Sequence, residues 1–399
     1  MRIAFVIQRY GKDVLGGSEY ECRQVAELLA QKHQIEVLST CAKDYTTWKN
    51  EFPPGQEIIN GILVHRFPNI AQREMEEFNK FSDWIYYHKH RLEEEFLWLQ
   101  MQGPFCPGLI AFLKANQDRY DLFFFFTYLY YPTYWGLMEV GYKSILQPLA
   151  HKEPAIFLNI YSQMFSQPKA LIFNTKAEAA FLAENFDLKD RLTAIIGGGV
   201  NFPSRVAFNQ FRRKYNLPQS FILCAGRIDP GKGCQELSDF FLRYREKSPP
   251  LKLVFIGHLL MELPKHPDIL YLGFLSEKEK LTAMKAASVV VIPSPLESLS
   301  FTLLEAFSVK IPVLVNAHSE VLKEHCLESN GGLYYSDYQE FSACLDFLLR
   351  PRLRRALGLQ GYHYAQSQYH WSVIAKKYLD FIEQVQQESS YPRNKVKKT

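Results

Sequence analysis

The chain has 399 residues, of which 47% are hydrophobic and 22% charged, a balance that excludes a disordered or fibrous protein and allows two domains of ordinary size. A net charge of +4 is small for this length and speaks against a nucleic-acid binder. The seven cysteines form no close pair of redox or metal-binding type and read as reduced core residues.

The chain opens on "MRIAFVIQRY", a strand pattern with a charge and without a long apolar h-region or cleavage site, so export is not expected and the protein is placed in the cytoplasm. Short apolar runs then alternate with segments of helical period, the pattern of parallel strands linked by helices. In the first half the expected strands are "RIAFVIQ", "IEVLST", "GILVHRF", "LFFFFT", "SILQPLA", "KALIFN" and "RLTAIIGG". The loop "DVLGGSEYECRQ" places Gly16 and Gly17 before Ser18, with Glu21 three positions later, a capping-box signature for the first long helix.

Further along, "CAKDYTTWKNEFPPG" carries Asp44 and Trp48, and an insert at about 73–116, rich in aromatic and charged residues, reads as helices laid over the first domain. "DLFFFFTYLYYPTYWGL" is too short and too interrupted by Pro132 and polar groups to span a bilayer; a buried strand running into an aromatic loop fits it better. His151 follows the strand "SILQPLA". A cluster of glycines and a proline in "GGGVNFPSRVAFNQ" marks a linker at Gly199 to Ser204.

The expected domains are therefore 1–203, with the insert, 204–368, a helix at 369–389 packing back on the first domain, and a basic tail at 390–399. The tail reads as a solvated terminus, with contact to acidic lipid as the alternative. In the second half the expected strands are "FILCAG", "KLVFIG", "ILYLGF", "SVVVIPS" and "IPVLVN". The architecture this draws is α/β, two Rossmann-like doubly wound domains facing each other across a cleft, with ligands at the carboxyl ends of the strands.

The loop "GRIDPGKGCQEL" holds Arg227 and Lys232 among Gly226, Gly231 and Gly233, just ahead of a helix start. Two cations beside close-approaching backbone suit a phosphate; the loop alone fits a solvated turn with two surface cations equally well. In "PSPLESLSFTLLEAFSVKIPVLVN", Glu297 follows a strand and Glu305 lies eight positions on, with Ser298 or Ser300 expected to cap the helix between them. A helical rise throughout would separate the carboxylates by about 12 Å. The amides of Ser298, Leu299, Ser300 and Phe301 would offer the positive helix end to a diphosphate, and each acid could accept from sugar hydroxyls. A glutamate near a helix start is also favourable with no ligand at all.

Together, "GRIDPGKG", "LYLGFLSEKEK" and "PSPLESLSFTLLEAFSVKIPVLV" resemble the retaining nucleotide-sugar glycosyltransferases of family 4, which have the GT-B fold, and the likeness runs over nearly the whole chain. The resemblance implies that Arg227 and Lys232 bind the donor diphosphate, that Glu305 holds the ribose, and that Glu297 faces the donor sugar. It also implies donor contacts from Gly16, Gly17, Gly226, Phe274 and Ser298 to Phe301. His151 resembles a cleft histidine of the family, though Lys152 stands where many relatives have Asp; a locally satisfied histidine is the other reading. Asp44 and Trp48 are assigned to the acceptor side. Where the family often has glycine between the two glutamates, this chain has Ser298 and Ser300. The motif "SNGGLYYSDYQEF" near Asn330 has no task legible at this stage.

The expected reaction is retaining transfer from a nucleotide diphosphate sugar to a hydroxyl of a carbohydrate or lipid-linked acceptor, in cell-surface polysaccharide or glycolipid synthesis. No metal or other cofactor is expected, since no Asp-x-Asp element follows a strand and no His or Cys cluster offers ligands. Retaining glycoside hydrolysis needs carboxyls only about 5 Å apart, which the estimated spacing disfavours. A dinucleotide-dependent oxidoreductase would share the doubly wound pattern, but none of the glycine clusters fits G-x-G-x-x-G after a strand. A non-catalytic sugar-nucleotide-binding protein remains the nearer alternative.

Overall fold

The computed structural model describes residues 1–14, 16–189, 191–247 and 250–390. The chain forms two compact units: Met1–Gly198 together with the segment from Ala375, and Gly199–Ile374.

The first unit is built on β1 (Arg2–Val6), β2 (Gln34–Thr40), β3 (Gly55–Ile59), β4 (Ile62–Phe67), β5 (Leu122–Phe126), β6 (Ser144–Gln147), β7 (Ala170–Phe173) and β8 (Leu192–Ile195). They form one sheet in the order β3-β4-β2-β1-β5-β6-β7-β8, parallel except for the β3–β4 pair. Its helices are α1 (Gly17–Leu29), α2 (Met75–Tyr87), α3 (Leu92–Gln102), α4 (Pro107–Asn116), α5 (Tyr131–Val140), α6 (Asn159–Phe165) and α7 (Lys176–Asn185). Both sheet faces are covered, so the central strands read as unbroken apolar runs.

The run "LFFFF" shows the period of two. Phe123 and Phe125 face a core that includes Phe78, Ile85, Trp98, Leu99, Leu109 and Leu113 from α2, α3 and α4. Phe124 points the other way, stacked 5.0 Å from Phe5. The insert is thus helical and covers one face of this sheet. No single helix among the described residues is long and apolar enough to cross a membrane.

The second unit has α8 (Phe208–Lys214), β9 (Phe221–Ile228), α9 (Cys234–Arg245), β10 (Lys252–Leu259), β11 (Ile269–Tyr271), α10 (Glu277–Ala286), β12 (Val289–Ile292), α11 (Phe301–Ser308), β13 (Val313–Asn316), α12 (Glu320–Ser329), β14 (Gly332–Tyr335), α13 (Tyr338–Leu348) and α14 (Pro351–Tyr369). Its six-stranded, all-parallel sheet has the order β11-β10-β9-β12-β13-β14. Two strands escape the sequence reading: β3, a polar "GQEII" on the edge of its sheet, and β14, inside the motif that follows Asn330.

One expectation is corrected. The capping box does not form: Gly16 is the N-cap of α1 and Ser18 lies inside the first turn, where its hydroxyl donates to Glu19 Oε2 at 2.7 Å. The Glu19 carboxylate fills the helix entrance so closely that a Cβ on Gly16 would lie 2.0 Å from Oε2, and Glu21 is buried instead.

The division falls at Gly198, and residues 199–204 are no free linker at their start, because Val200 N–H donates to Tyr369 O at 2.9 Å and a Cβ on Gly199 would lie 2.5 Å from the Trp371 ring. The last helix, α15 (Trp371–Ser390), begins in the second unit, and from Ala375 it belongs to the first, where Tyr378, Phe381, Ile382 and Val385 are buried. Residues 391–399 of the expected basic tail lie outside the described residues.

Candidate functional site

In the second sheet, strand order reverses between β9 and β12. β9 pairs with β10 along all eight residues from Phe221 to Ile228, but with β12 only through Ile222 and Leu223. The two strands therefore part toward their carboxyl ends, which opens the crevice where such sheets bind ligands. The loops on either side of that opening are the ones carrying Arg227, Lys232 and Glu297.

After β9, Asp229 organises the turn: its Oδ1 accepts the Lys232 N–H at 2.9 Å, and its carboxylate pairs with the Arg227 guanidinium. Gly233 then turns the chain into α9 with φ 72°, and a Cβ there would lie 2.3 Å from Pro293 O, so the β9 and β12 loops touch. Across this contact the Lys232 ammonium donates to Glu297 Oε1 at 2.7 Å and to Ser294 Oγ at 3.4 Å. The pair is part-exposed, 33% for Lys232 and 17% for Glu297, so it is open to a ligand. A Cβ on Gly226 would meet nothing within 4 Å, which leaves that backbone approachable as well.

The segment from Glu297 to Ser300 is not helical. Ser300 stands at the N-cap of α11 in the left-handed region, φ 71°, and its hydroxyl makes no capping hydrogen bond, so neither serine plays the expected capping role. The helical rise assumed for the Glu297–Glu305 spacing fails for the same reason. Ser298, Leu299 and Ser300 nevertheless lead into the first turn of α11, which Phe301 opens.

Glu305 is buried at 6% exposure. Its Oε1 accepts from Lys280 Nζ at 2.8 Å, while Oε2 is buried with no hydrogen-bond partner among the described residues. Burial pushes the carboxyl above its ordinary range, against the pull of Lys280. For Lys280, burial opposes the charge and is outweighed by Glu305 and by Glu277 at 2.9 Å, so its ammonium is held above the usual lysine range. The two glutamates thus have separate cationic partners, Lys232 for one and Lys280 for the other. Phe274 projects from the loop after β11, 63% exposed, held from behind by a bond from Gly257 N to Gly273 O at 3.0 Å.

In the first unit the strand order likewise reverses at β1 and β5. Gly16 opens α1 there, and Gly17 has open space around its Cα. Sequence reasoning missed their buried neighbours: Glu19 accepts from Gln8 Nε2 at 2.8 Å and from Arg9 Nε at 2.9 Å, and Thr127 Oγ1 donates to Gln8 Oε1 at 3.1 Å. His151 lies 3.5 Å from Glu153, whose other oxygen accepts from Tyr128 OH at 2.6 Å.

The acceptor-side assignment of Trp48 is overturned. The indole is 1% exposed, its Nε1 donates to Gln102 O at 2.7 Å, and Arg73 lies over the ring, so it is a core residue. Asp44 is half-buried and its Oδ1 caps a local turn, accepting from Thr46 N at 2.9 Å and Thr47 N at 3.0 Å.

Other residues missed by the sequence are Lys280, Asp229, Ser294, Asn316, whose Nδ2 donates to Pro293 O at 3.0 Å, and His325, which contacts Leu299 O. Among the described residues there is no group of three or more His, Cys, Asp or Glu side chains able to hold a metal ion.

Residues 207–363, nearly all of the second unit, match the family described as Glycosyl transferases group 1. The whole-chain fold is that of sucrose-phosphate synthase from Thermosynechococcus elongatus, with a TM-score of 0.71 over 97% of this chain and 99% of that one at 17% identity. It is also that of Anabaena HepE in complex with UDP and glucose, with a TM-score of 0.69 over 96% of this chain and 100% of that one at 16% identity. Among curated proteins, an uncharacterized glycosyltransferase of Methanocaldococcus jannaschii is 22% identical over 360 residues, 83% of this chain and 84% of its own. Two Rossmann-like domains of the GT-B fold, with a group 1 domain at 207–363, support the class of GT-B glycosyltransferase.

Proposed function

We propose that this chain transfers a glycosyl group from a nucleoside diphosphate sugar to a hydroxyl of a carbohydrate or lipid-linked acceptor, with the anomeric configuration retained, as in cell-surface polysaccharide or glycolipid synthesis at the cytoplasmic side of a membrane. The observation that carries it is the meeting of Lys232 Nζ with Glu297 Oε1 at 2.7 Å where β9 and β12 part, with Arg227 on the same strand end. That pairs a phosphate-binding cation with an acceptor for sugar hydroxyls in one crevice.

In this reading the bond from the sugar's anomeric carbon to the diphosphate oxygen breaks and its electron pair stays on the diphosphate. Lys232, Arg227 and the amides ahead of α11 stabilise that charge. The acceptor oxygen bonds the anomeric carbon from the same face and its proton passes to the departing phosphate. The unpartnered Glu305 Oε2 accepts a ribose hydroxyl, Glu297 holds the donor sugar, and the Phe274 ring and the Gly226 backbone border the nucleotide. The cations and amides supply the countercharge, so no resident metal is assigned. That HepE is in complex with UDP and glucose makes UDP-glucose the first donor to try.

The test is thermal stabilisation of the full chain by UDP, GDP and ADP, followed by transfer and slow hydrolysis of the matching nucleotide sugars. One diphosphate should raise the melting temperature. Lys232→Ala and Glu297→Ala should each lower kcat/KM about a hundredfold or more with melting changed by only a few degrees. Addition of a chelator should leave the rate unchanged. Binding without turnover in any donor would leave only a sugar-nucleotide-binding protein.

A further inference from the structure

The loop between the two glutamates is held from behind by a buried histidine. His325, on α12, is 0% exposed, and its Nε2 lies 2.9 Å from Leu299 O. A carbonyl can only accept, so Nε2 carries the proton. Burial pushes the imidazole's pKa down to about 4, so at neutral pH the ring is uncharged and its Nδ1 is an acceptor. That nitrogen lies 3.0 Å from Tyr364 OH, which in turn lies 3.2 Å from Glu328 Oε2 and 3.3 Å from Tyr369 OH. The tautomer follows from the two partners.

The carbonyl of Leu299 belongs to the same planar peptide as the N–H of Ser300, and in a trans peptide the two point in opposite directions. With the carbonyl drawn inward to His325, the Ser300 N–H is turned the other way, outward from the α12–α14 side. Among the described residues that N–H has no hydrogen-bond acceptor. Ser300 keeps φ at 71°, a left-handed conformation that strains a side-chain-bearing residue and persists only where its surroundings hold it.

The motif after α12 explains how His325 is itself held. Asn330 ends α12 in the left-handed region, φ 46°, and Gly331 follows with no room for a side chain: a Cβ would lie 2.6 Å from Gly361 Cα and 2.7 Å from the Phe307 ring. Gly358 meets Lys310 O in the same way, at 2.4 Å. Asn330 and these glycines let α12, α14 and the end of α11 pack closely, with Tyr364 and Tyr369 of α14 against the imidazole.

We infer that His325 is a positioning residue for the donor site: by fixing the Leu299 carbonyl it keeps the Leu299–Ser300 peptide turned so that the Ser300 N–H faces the diphosphate. The inference rests on the function proposed above. Without the imidazole donor the peptide is free to rotate, presenting a carbonyl oxygen to an anion where a donor stood.

The test measures, on the full chain, affinity for whichever of UDP, GDP or ADP binds the wild type, and for the matching monophosphate. His325→Leu, which removes the donor, should weaken diphosphate binding about tenfold or more and monophosphate binding less than about twofold, since only the former loses a charge-assisted hydrogen bond. His325→Gln, which offers an amide N–H near the position of Nε2, should recover the diphosphate to within about threefold of wild type.

Tyr364→Phe should lower the melting temperature while holding diphosphate affinity within about threefold, because it strips the far side of the ring. If His325→Leu does not fold, His325→Asn, polar but too short to reach from the Nε2 position, replaces it. Equal weakening of mono- and diphosphate, no weakening at all, or failure of a folded His325→Gln to recover binding would each overturn the assignment and leave the proposed function standing. A wild type that binds none of the three diphosphates would remove both.

Discussion

A Cβ on Gly233 would stand 2.3 Å from the carbonyl oxygen of Pro293, an approach that only glycine permits. The contact brings the Lys232 turn against the end of β12, and Pro293 O cannot easily withdraw because Asn316 Nδ2 donates to it at 3.0 Å. Gly233→Ala adds this clash to a φ of 72° and should cost roughly 2–3 kcal/mol in urea denaturation, with weaker donor binding as Lys232 moves away from Glu297. Gly231→Ala is the control. Its Cβ would meet only Asp229 Oδ1, at 3.1 Å and at the end of a side chain, so less than about 1 kcal/mol should be lost. Equal losses in the two variants would show that the loop contact is not what holds the turn.

Lys280 and Glu305 form a pair from which removal of one member leaves a buried charge behind. The Glu305 side chain is 8% exposed and that of Lys280 24%, and Glu305 Oε2 already lacks a partner. Lys280→Met should therefore destabilise the protein by about 3 kcal/mol and raise the Glu305 pKa further. Glu305→Gln should cost less, because Lys280 keeps Glu277 at 2.9 Å, yet it should raise the KM for donor through loss of a carboxylate acceptor. Denaturation curves and donor kinetics on both variants check this: a Lys280→Met protein as stable as wild type would mean that the pair contributes nothing net.

Much of this was legible because the apolar runs are short, unbroken and separated by helical patterns, as strands covered on both faces must be. The types and spacing of Arg227, Lys232, Glu297 and Glu305 likewise carried the candidate site. The losses have physical reasons. Lys280 stands among Lys278 and Lys285 in one helix, and which lysine meets Glu305 depends on the phase of α10 against α11, a tertiary fact. Ser300 has the residue type of an N-cap but the backbone of a glycine position, so side-chain chemistry pointed to a bond that the left-handed turn does not make. Trp48 looked like a loop aromatic because nothing local reveals that Gln102, more than fifty positions away, accepts from its indole. Ser18 and Glu21 matched a capping box in spacing alone, while the space at the helix start belongs to Glu19.

Glu21 gives the pH dependence. It is 2% exposed, accepting from Gln147 Nε2 at 2.8 Å and Asn174 Nδ2 at 3.1 Å, and Gln147 in turn accepts from Tyr378 OH of α15 at 2.9 Å. Burial raises its pKa to about 8, and burial likewise raises Glu178 to about 8. With folded values above the unfolded one of 4.5, the folded state binds the extra proton between those limits. Stability from this cluster is therefore fully present below about pH 4.5 and is lost as pH rises through about 8, with a slope of at most about 1.4 kcal/mol per pH unit for each group. Glu21→Gln removes one of the two titrations. Its melting temperature should match wild type near pH 4.5 and exceed it by a margin that grows up to about pH 8, with the alkaline loss roughly halved. Parallel curves for the two proteins across that range would show that Glu21 is ionised in the folded chain throughout, and that its hydrogen bonds to Gln147 and Asn174 outweigh the cost of its burial.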